Sequence, residues 1–470
     1  MFYSARKSES PDMTLDSRLV PKTVPVTEIA RPFPVNSRVV VGLAVPMTLA
    51  YMSTPLLGIV DTAVIGQLAD AALIGGIAVG AIIFDIIFGG FNFLRSGTTG
   101  LTAQALGRND RREQQAVYYR AVLLAASLGL LTIALSKPFL ETGLYFMKPS
   151  AAVEQAVRTY FTIRVLATPF SLINYAVLGW YLGLGKSGTG LLIQTVLNGL
   201  NMVFNATLVL YYDFGVAGIA WGTFLAEALV AMAGCVMVQW QIGKRFDADE
   251  RPSRRRIFER VSLIRMFALN RDIMIRSFVL LFAFAFFTAQ GARQGDLLLA
   301  ANAVLIHFFL TGGYFLDGLA VAAEQLGGRA LGANYREGFV QSMRLTGLWG
   351  FAMAVLLALL FWTAGPQLID IMTTEPDVRQ LARIYLPFAA LTPLIGVLAF
   401  IMDGVFIGAT WSRDMRNMMI LSLLLYLAAW RVLTPLYGNS GLWIAIWVFL
   451  AMRGFSLWWI SRKRIRESFV

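Results

Sequence analysis

Cysteine and histidine are almost absent from this sequence, since each occurs once among 470 residues. The single cysteine, Cys235, excludes an intramolecular disulfide and lies in an apolar run, where a small packed residue is its usual role. The sequence also contains no cluster with the spacing of metal ligands and no nucleophile elbow. These absences favour a chain that is not an enzyme and that holds no cofactor.

Charged residues are also scarce, at 14% of the chain, whereas soluble proteins average about 25%. Hydrophobic residues make up 57% and the mean hydropathy is +0.64. Too few charges remain to cover the surface of a soluble protein of this length. The composition therefore predicts an integral membrane protein.

One segment resembles a nucleotide site without matching it. Residues 183–187 read Gly-Leu-Gly-Lys-Ser, like the end of a phosphate-binding loop. That loop requires a glycine five positions before Gly185, and the residue there is Trp180. ATP hydrolysis by this chain is therefore not expected.

Apolar runs long enough to cross a bilayer recur along the chain. Because they do not alternate between apolar and polar residues, they predict helices rather than a membrane barrel. We predict an all-α integral membrane fold with about twelve transmembrane helices. The expected spans are 38–62, 70–95, 115–136, 157–182, 188–211, 213–241, 270–291, 295–322, 341–364, 381–408, 416–435 and 440–461.

Basic residues give a net charge of +12, but they lie in short loops between the apolar runs, which argues against a nucleic-acid partner. Alternate loops differ in their content of lysine and arginine, and the positive-inside rule then places both termini in the cytoplasm. The expected location is the cell (inner) membrane, with the chain crossing it many times.

The longest internal connection divides the chain. We predict an N-terminal cytoplasmic tail at 1–37, a first lobe at 38–241, a cytoplasmic linker at 242–269, a second lobe at 270–461 and a C-terminal tail at 462–470. Within the linker, residues 256–267 are expected to form an amphipathic helix on the membrane surface.

The two lobes repeat each other at a shift of 225 residues. The shift pairs Ala105-Leu106-Gly107 with Ala330-Leu331-Gly332, and it pairs Gly179 with Gly404. Each half has six expected spans, so the second half starts on the same side as the first. This predicts two pseudo-symmetric six-helix bundles around a central cleft, related by an axis along the membrane normal.

An ionisable residue inside a membrane span is costly, and it is a functional candidate for that reason. Asp61 ends the first apolar run and is the clearest such residue. Pro46 lies earlier in the same span and predicts a hinge, because proline removes a backbone hydrogen bond. The 225-residue shift places Phe286 opposite Asp61, so we expect ion coupling in the first lobe.

The fifth span carries a polar stripe at helical spacing. Its members are Gln194, Asn198, Asn201 and Asn205. The stripe predicts either hydrogen bonds between helices or the lining of a cavity or ion site, to which Thr223 of the next span would add a hydroxyl. Oxygen ligands of this kind suit Na⁺, and a carboxylate also suits a proton. Gln290 is expected to line a cavity in the second lobe.

Other polar residues of the second lobe occur near the expected ends of spans. They are Asp317, Glu324, Gln325 and Asp403. Their positions predict solvated side chains at least as readily as buried ones.

Several motifs, in this order, resemble those of the multidrug and toxin extrusion (MATE) transporters, and most closely their DinF-like branch. The resemblance covers residues 36–460. It rests on Pro46 with Val60-Asp61-Thr62, on Ala103-Gln104-Ala105-Leu106-Gly107, on the three asparagines before Gly215, on Leu316-Asp317-Gly318 and on Ala330-Leu331-Gly332-Ala333-Asn334.

The resemblance implies a secondary antiporter that exports organic, often cationic or amphipathic, compounds by alternating access. It implies that Asp61 is the coupling carboxylate and that Asn201, Asn205 and Thr223 surround it. Some relatives have an aspartate where this chain has Asn205. Because oxygen sites bind cations less tightly with fewer charges, this difference favours H⁺ over Na⁺ coupling, with Na⁺ at the same four residues as the alternative.

Two other classes of protein stay open. A lipid-linked precursor flippase would share the two-lobe plan, with extra spans and a cationic cavity for pyrophosphate. A membrane receptor or structural protein would need neither a coupling carboxylate nor a repeat. The expected partners are small organic substrates and the lipid bilayer, and the chain is expected to act as a monomer.

Overall fold

The computed structural model describes residues 31–67 and 71–469, and almost all of them are helical. The helices are α1 (Ser37–Gly66), α2 (Ala71–Gly89), α3 (Phe93–Gly107), α4 (Arg111–Ala134), α5 (Ser136–Met147), α6 (Ala151–Arg164), α7 (Thr168–Gly183), α8 (Ser187–Ala206), α9 (Gly215–Arg245), α10 (Arg254–Ile257), α11 (Arg260–Ala292), α12 (Asp296–Gly332), α13 (Arg336–Met372), α14 (Pro376–Gly408) and α15 (Ser412–Ser468). Short turns join α2 to α3 and α6 to α7, and a π-helical turn, Thr207–Tyr211, follows α8.

The described residues contain eleven helical segments that are long and apolar enough to cross a membrane. The last of them, Ser412–Ser468, is broken at Gly438, where φ is 56° and ψ is −130°. The break divides α15 into two apolar parts, which accounts for the twelve expected spans. The predicted all-α membrane fold is confirmed.

Helix ends keep the 225-residue register. α3 and α12 end at Gly107 and Gly332, while α7 and α14 end at Gly183 and Gly408. Six residues with positive φ repeat at the same shift. They form the pairs Asn109 and Asn334, Gly185 and Thr410, and Asp213 and Gly438. The two halves therefore share their turns as well as their helices. We call residues 37–245 the N-lobe and 260–468 the C-lobe.

Close packing inside the lobes follows the same register. A Cβ added at Gly179 would lie 2.5 Å from the carbonyl oxygen of Arg95, and one at Gly404 would lie 2.2 Å from that of Ala320. Real Cβ atoms do not approach so closely, so both positions require glycine. The repeated glycines thus let α7 pack on α3, and α14 on α12, backbone against backbone.

The two lobes meet where α3 and α12 end. A Cβ at Gly107 would lie 2.1 Å from the carbonyl oxygen of Arg329, and one at Gly332 would lie 2.1 Å from that of Gln104. An apolar core beside this contact draws on both lobes and includes Leu326. We call this side of the molecule the loop-333 end. The lobes are closed against each other there.

Alanine at Gly332 is expected to push the lobes apart at the loop-333 end, because its Cβ meets a backbone carbonyl that cannot move alone. Such overpacking costs about 1–3 kcal/mol, and about 1.4 kcal/mol shifts an equilibrium tenfold. The reporter is a cysteine introduced at Ala103, which is buried in the lobe contact, in a protein whose own cysteine is removed by Cys235→Ser. Opening of the contact exposes this cysteine to a thiol reagent. Gly332→Ala should raise the rate of labelling about tenfold.

Gly347→Ala is the matched control for this substitution, because a Cβ at Gly347 meets nothing within 4 Å. Equal labelling rates in the two glycine variants would contradict the expected separation of the lobes.

The connection between the lobes lies against the start of α4. Arg120 donates to the carbonyl oxygen of Ile257 at 2.9 Å, and Arg111 pairs with Glu250 at 3.1 Å. The expected surface helix at 256–267 is wrong as a separate element. α10 ends at Ile257, and the residues from Arg260 onward belong to α11, which continues into the seventh span. The reason is that nothing breaks the helical pattern after Glu259.

Candidate functional site

The polar stripe of α8 connects to α1 through Asp61. Asn205 donates from Nδ2 to Asp61 Oδ1 at 2.8 Å and to Asn201 Oδ1 at 2.7 Å. Asn205 is fully buried and Asn201 nearly so. The structure therefore brings together three of the residues that the sequence analysis grouped as a coupling site.

The remainder of the stripe makes a second connection to α1. Gln194 donates to Asn198 Oδ1 at 3.1 Å, and Asn198 donates to the Ser53 hydroxyl at 2.7 Å. Asn198 is buried. The stripe therefore joins α8 to α1 at two points, through Ser53 and through Asp61.

Thr223 lies on α9, which packs against α8. Its hydroxyl is buried and donates to the carbonyl oxygen of Ile219 on its own helix at 3.0 Å. The adjacent Gly222 lets α9 approach α8, since a Cβ there would lie 2.2 Å from Asn205 Oδ1. That oxygen has no hydrogen-bond partner among the described residues. The structure places Thr223 next to this group, with its proton directed to the backbone.

Pro46 lies inside α1, which is helical on both sides of it from Ser37 to Gly66. The same helix contains Pro55, which the sequence analysis did not single out and which is closer to Asp61. Each proline leaves one helical hydrogen bond unmade. α1 thus has two points at which bending costs less than elsewhere.

Gln290 lies near the end of α11, and its side chain is buried. It lines a cavity of about 280 Å³ in the C-lobe together with Arg293, Gln294 and Trp430. Neither Asp61 nor the residues of the polar stripe line this cavity. Gln290 is therefore not part of the grouping around Asp61.

A larger cavity of about 500 Å³ lies between the lobes. The N-lobe contributes Tyr51 and Arg95, and the C-lobe contributes aromatic side chains such as Phe309 and Phe400. Six charged residues also line it: Arg95, Arg276, Arg453, Asp317, Glu324 and Asp403. The cavity thus has three positive and three negative side chains beside an aromatic wall.

Five of the six charged residues of this central cavity form ion pairs with one another. Asp403 accepts hydrogen bonds from both Arg276 and Arg453. Arg95 of the N-lobe lies 3.7 Å from Glu324 of the C-lobe, measured from Nη1 to Oε2. An ion pair therefore joins the two lobes near the middle of the molecule.

The expectation of solvated side chains in the second lobe is wrong for three residues. Glu324, Gln325 and Asp403 are 2%, 2% and 4% exposed. They occur near helix ends, which suggested solvation, but these ends pack against the other lobe. The three arginines that neutralise the acids were not predicted, because they come from α3, α11 and α15 and no spacing along the chain relates them.

Among the described residues, no group of three or more histidine, cysteine, aspartate or glutamate side chains could hold a metal ion. Around Asp61 the available oxygens come from one carboxylate, amides and a hydroxyl. The Asn205 amide nitrogen lies between Asp61 Oδ1 and Asn201 Oδ1, where a cation shared by these two oxygens would lie.

Known proteins agree with this architecture. The family model MatE matches residues 46–207 and 273–429, one segment in each lobe. The chain is 37% identical over 429 residues to DNA damage-inducible protein F of Escherichia coli (strain K12), covering 90% of this chain and 92% of that protein. It is 24% identical over 448 residues to the probable multidrug resistance protein NorM of Caulobacter vibrioides, covering 91% and 93%.

Solved structures show the same fold. An outward-facing multidrug resistance MATE family transporter of the MOP superfamily superposes with a TM-score of 0.81 at 16% identity, covering 92% of this chain and 96% of that one. The family model matches well over half of the chain, and the two lobes are those of solved MATE proteins. The chain therefore belongs to the MATE family of multidrug and toxin efflux transporters.

Proposed function

We propose that this protein is an H⁺-driven antiporter that exports organic, often cationic or amphipathic, compounds by alternating access. The observation that carries the proposal is the hydrogen bond that Asp61 accepts from the buried Asn205, which also donates to Asn201, within a membrane span. A carboxylate in such a place is costly unless it is used. Its hydrogen-bond partner is on a different helix, so its protonation state acts on the packing of α1 against α8.

Coupling to H⁺ rather than Na⁺ is supported by what surrounds the carboxylate. The donor between Asp61 and Asn201 is an amide N–H of Asn205, which stabilises an ionised Asp61 without a metal. Asn205 contributes no second negative charge, and tight oxygen sites for cations depend on charge. No resident cofactor enters the proposed mechanism.

The proposed cycle begins with the outward-facing protein, in which Asp61 is ionised and a substrate occupies the space between the lobes. A proton from outside binds Asp61 and weakens its hydrogen bond to Asn205, because a neutral acceptor is weaker than a charged one. α1 then bends at Pro46, and the substrate leaves. Return to the inward-facing state releases the proton, so proton and substrate shift one equilibrium in opposite directions.

The proposed orientation has both termini in the cytoplasm of a monomer in the inner membrane. Loops 108–110 and 333–335 are then cytoplasmic. Because the lobes are closed at the loop-333 end, the described state would be sealed towards the cytoplasm.

A flippase for lipid-linked pyrophosphates is less well supported. Such a substrate needs an excess of positive charge in the cavity, whereas three carboxylates here balance three guanidinium groups. The described residues also show no apolar helices beyond those of the twelve spans. A receptor or structural role would leave the carboxylate of Asp61, inside a membrane span, without a purpose.

Accumulation of ethidium into proteoliposomes, with pH and Na⁺ gradients imposed separately, tests the proposal. A gradient of about one pH unit contributes about 1.4 kcal/mol per proton, which supports about tenfold accumulation of ethidium at zero membrane potential. We expect at least this ratio with the pH gradient and none with Na⁺ alone. Accumulation driven by Na⁺ alone would show that the coupling ion is wrong, and none under either gradient would contradict antiport.

A further inference from the structure

The N-lobe contains a second carboxylate, Glu227, that the proposed mechanism does not use. It lies on α9, four residues after Thr223. At this spacing the two side chains share one face of the helix, about 6 Å apart along its axis. Glu227 is also farther than Thr223 from Gly215, where α9 begins, and so lies nearer the loop-333 end.

Hydrogen bonds from a neighbouring helix hold Glu227 in place. Asn174 of α7 donates from Nδ2 to Glu227 Oε2 at 2.6 Å and to the Glu227 carbonyl oxygen at 3.1 Å. Asn174 is buried, at 4% exposed. This short hydrogen bond from a buried amide holds the Glu227 carboxyl group in one position, which binding and release of a proton in every transport cycle would require.

A guanidinium group belongs to the same helix bundle as Glu227 and Asp61. Arg164 ends α6, which packs against α9, and its positive charge acts on both carboxyl groups. Its Nη1 is buried and has no hydrogen-bond partner among the described residues, and its guanidinium lies over Phe84 and Phe88 at 5.5 and 5.8 Å. The three charged groups sum to one negative charge when both acids are ionised, and to one positive charge when both are protonated.

α6 also carries Glu154 and Arg158, which pair with each other, and Arg158 pairs with Glu141 as well. The other elements packed against α9 add no described charged residue. α8 and the turns Val165–Ala167 and Thr207–Tyr211 have no charged residue. α7 supplies Asn174 and the titratable Tyr175 and Tyr181, and has no charged residue either. α2 has Asp85, whose side chain is outside the described part. Arg164 is thus the described charge that acts on Glu227.

We infer that Glu227 is a second proton-binding site of the N-lobe, coupled to Asp61 through Arg164. Glu227 provides a second carboxylate, which Asn205 does not provide in this chain. It lies one helical turn beyond Thr223, towards the loop-333 end. A proton that enters from the Gly215 side meets Asp61 first and Glu227 second. Binding forms an O–H on each carboxyl and breaks no other covalent bond. The inference rests on the proposed H⁺ antiport and extends it to two protons for each substrate.

The number of protons is read from the accumulation of ethidium under a gradient of one pH unit at zero membrane potential. Two protons support about hundredfold accumulation, and one supports about tenfold. We expect about hundredfold for the unsubstituted protein and about tenfold for Glu227→Gln. Glu227→Asp, which retains the carboxyl group, should restore the higher ratio, and Glu337→Gln, at the exposed start of α13, should not change it.

Infrared difference spectra of the same proteins between about pH 5 and pH 8 give a readout that needs no transport, because exposed carboxyls stay ionised over this range. The inference predicts two carboxylic C=O bands. One, from Glu227, is lost in Glu227→Gln. The other, from Asp61, is lost in Asp61→Asn and shifts in frequency in Glu227→Gln, because the two groups are coupled.

Equal accumulation ratios and equal spectra for Glu227→Gln and the unsubstituted protein would overturn the inference. So would tenfold accumulation by the unsubstituted protein. If no variant accumulates ethidium, the proposed antiport fails, and the spectra still decide whether Glu227 takes up a proton with Asp61.

Discussion

Asp61→Asn is expected to abolish accumulation of ethidium under a pH gradient and to leave a folded protein. Asparagine has nearly the shape of aspartate and still offers an oxygen to the Asn205 amide, which now donates to Asp61 at 2.8 Å. It has no group that titrates in the relevant pH range. The accumulation ratio should therefore fall from at least about tenfold to no accumulation, because protonation of Asp61 is the proposed step that releases the substrate, and a proton on Glu227 alone does not replace it.

Downhill exchange of ethidium, measured without any gradient, separates loss of coupling from loss of transport. Asp213→Asn is the matched control. Asp213 lies in the turn before α9, is exposed, and has a φ of 54° that asparagine also adopts. Full accumulation by Asp61→Asn would show that the coupling carboxylate is elsewhere.

Asp403→Asn is expected to destabilise the folded protein strongly. Asp403 is 4% exposed and accepts from two arginines, Arg276 and Arg453. Removing one partner of a buried ion pair costs about 3–5 kcal/mol, because the remaining charge is left uncompensated. The measurement is the midpoint of thermal unfolding of the purified protein in lipid nanodiscs.

Two further variants make this test specific. Asp370→Asn also removes an aspartate that faces two arginines, Arg379 and Arg383, but Asp370 is 38% exposed, so its loss should cost less than about 1 kcal/mol. The double variant Asp403→Asn with Arg453→Gln returns the central cavity to zero net charge and should recover part of the lost midpoint. Equal midpoints for the two single aspartate variants would contradict the importance of burial.

Much of the fold could be predicted from the sequence, because bilayer thickness fixes the length of each apolar run. The twelve spans and the 225-residue register followed from such lengths and from repeated short motifs. Helical spacing placed the asparagines of α8 on one face. Their position around Asp61 on α1 was implied only by the resemblance to MATE transporters.

The central cavity could not be predicted in this way. Arg95, Arg276 and Arg453 lie on helices that are far apart in the chain, and no motif or spacing relates them. Their burial depends on how the lobes pack, which no local pattern records. Glu227 was missed for a similar reason, because its partners Arg164 and Asn174 belong to other helices.

The contact between the lobes has a consequence for hydration. At Gly107 and Gly332 the surfaces that meet are glycine and backbone carbonyl oxygen, rather than large apolar side chains. When they part, water can solvate these carbonyls, and little apolar area is exposed at a cost of about 25 cal/mol per Å². A gap can thus fill with water at these two glycines without a large loss of hydrophobic free energy, and resistance to opening comes instead from the apolar core beside them.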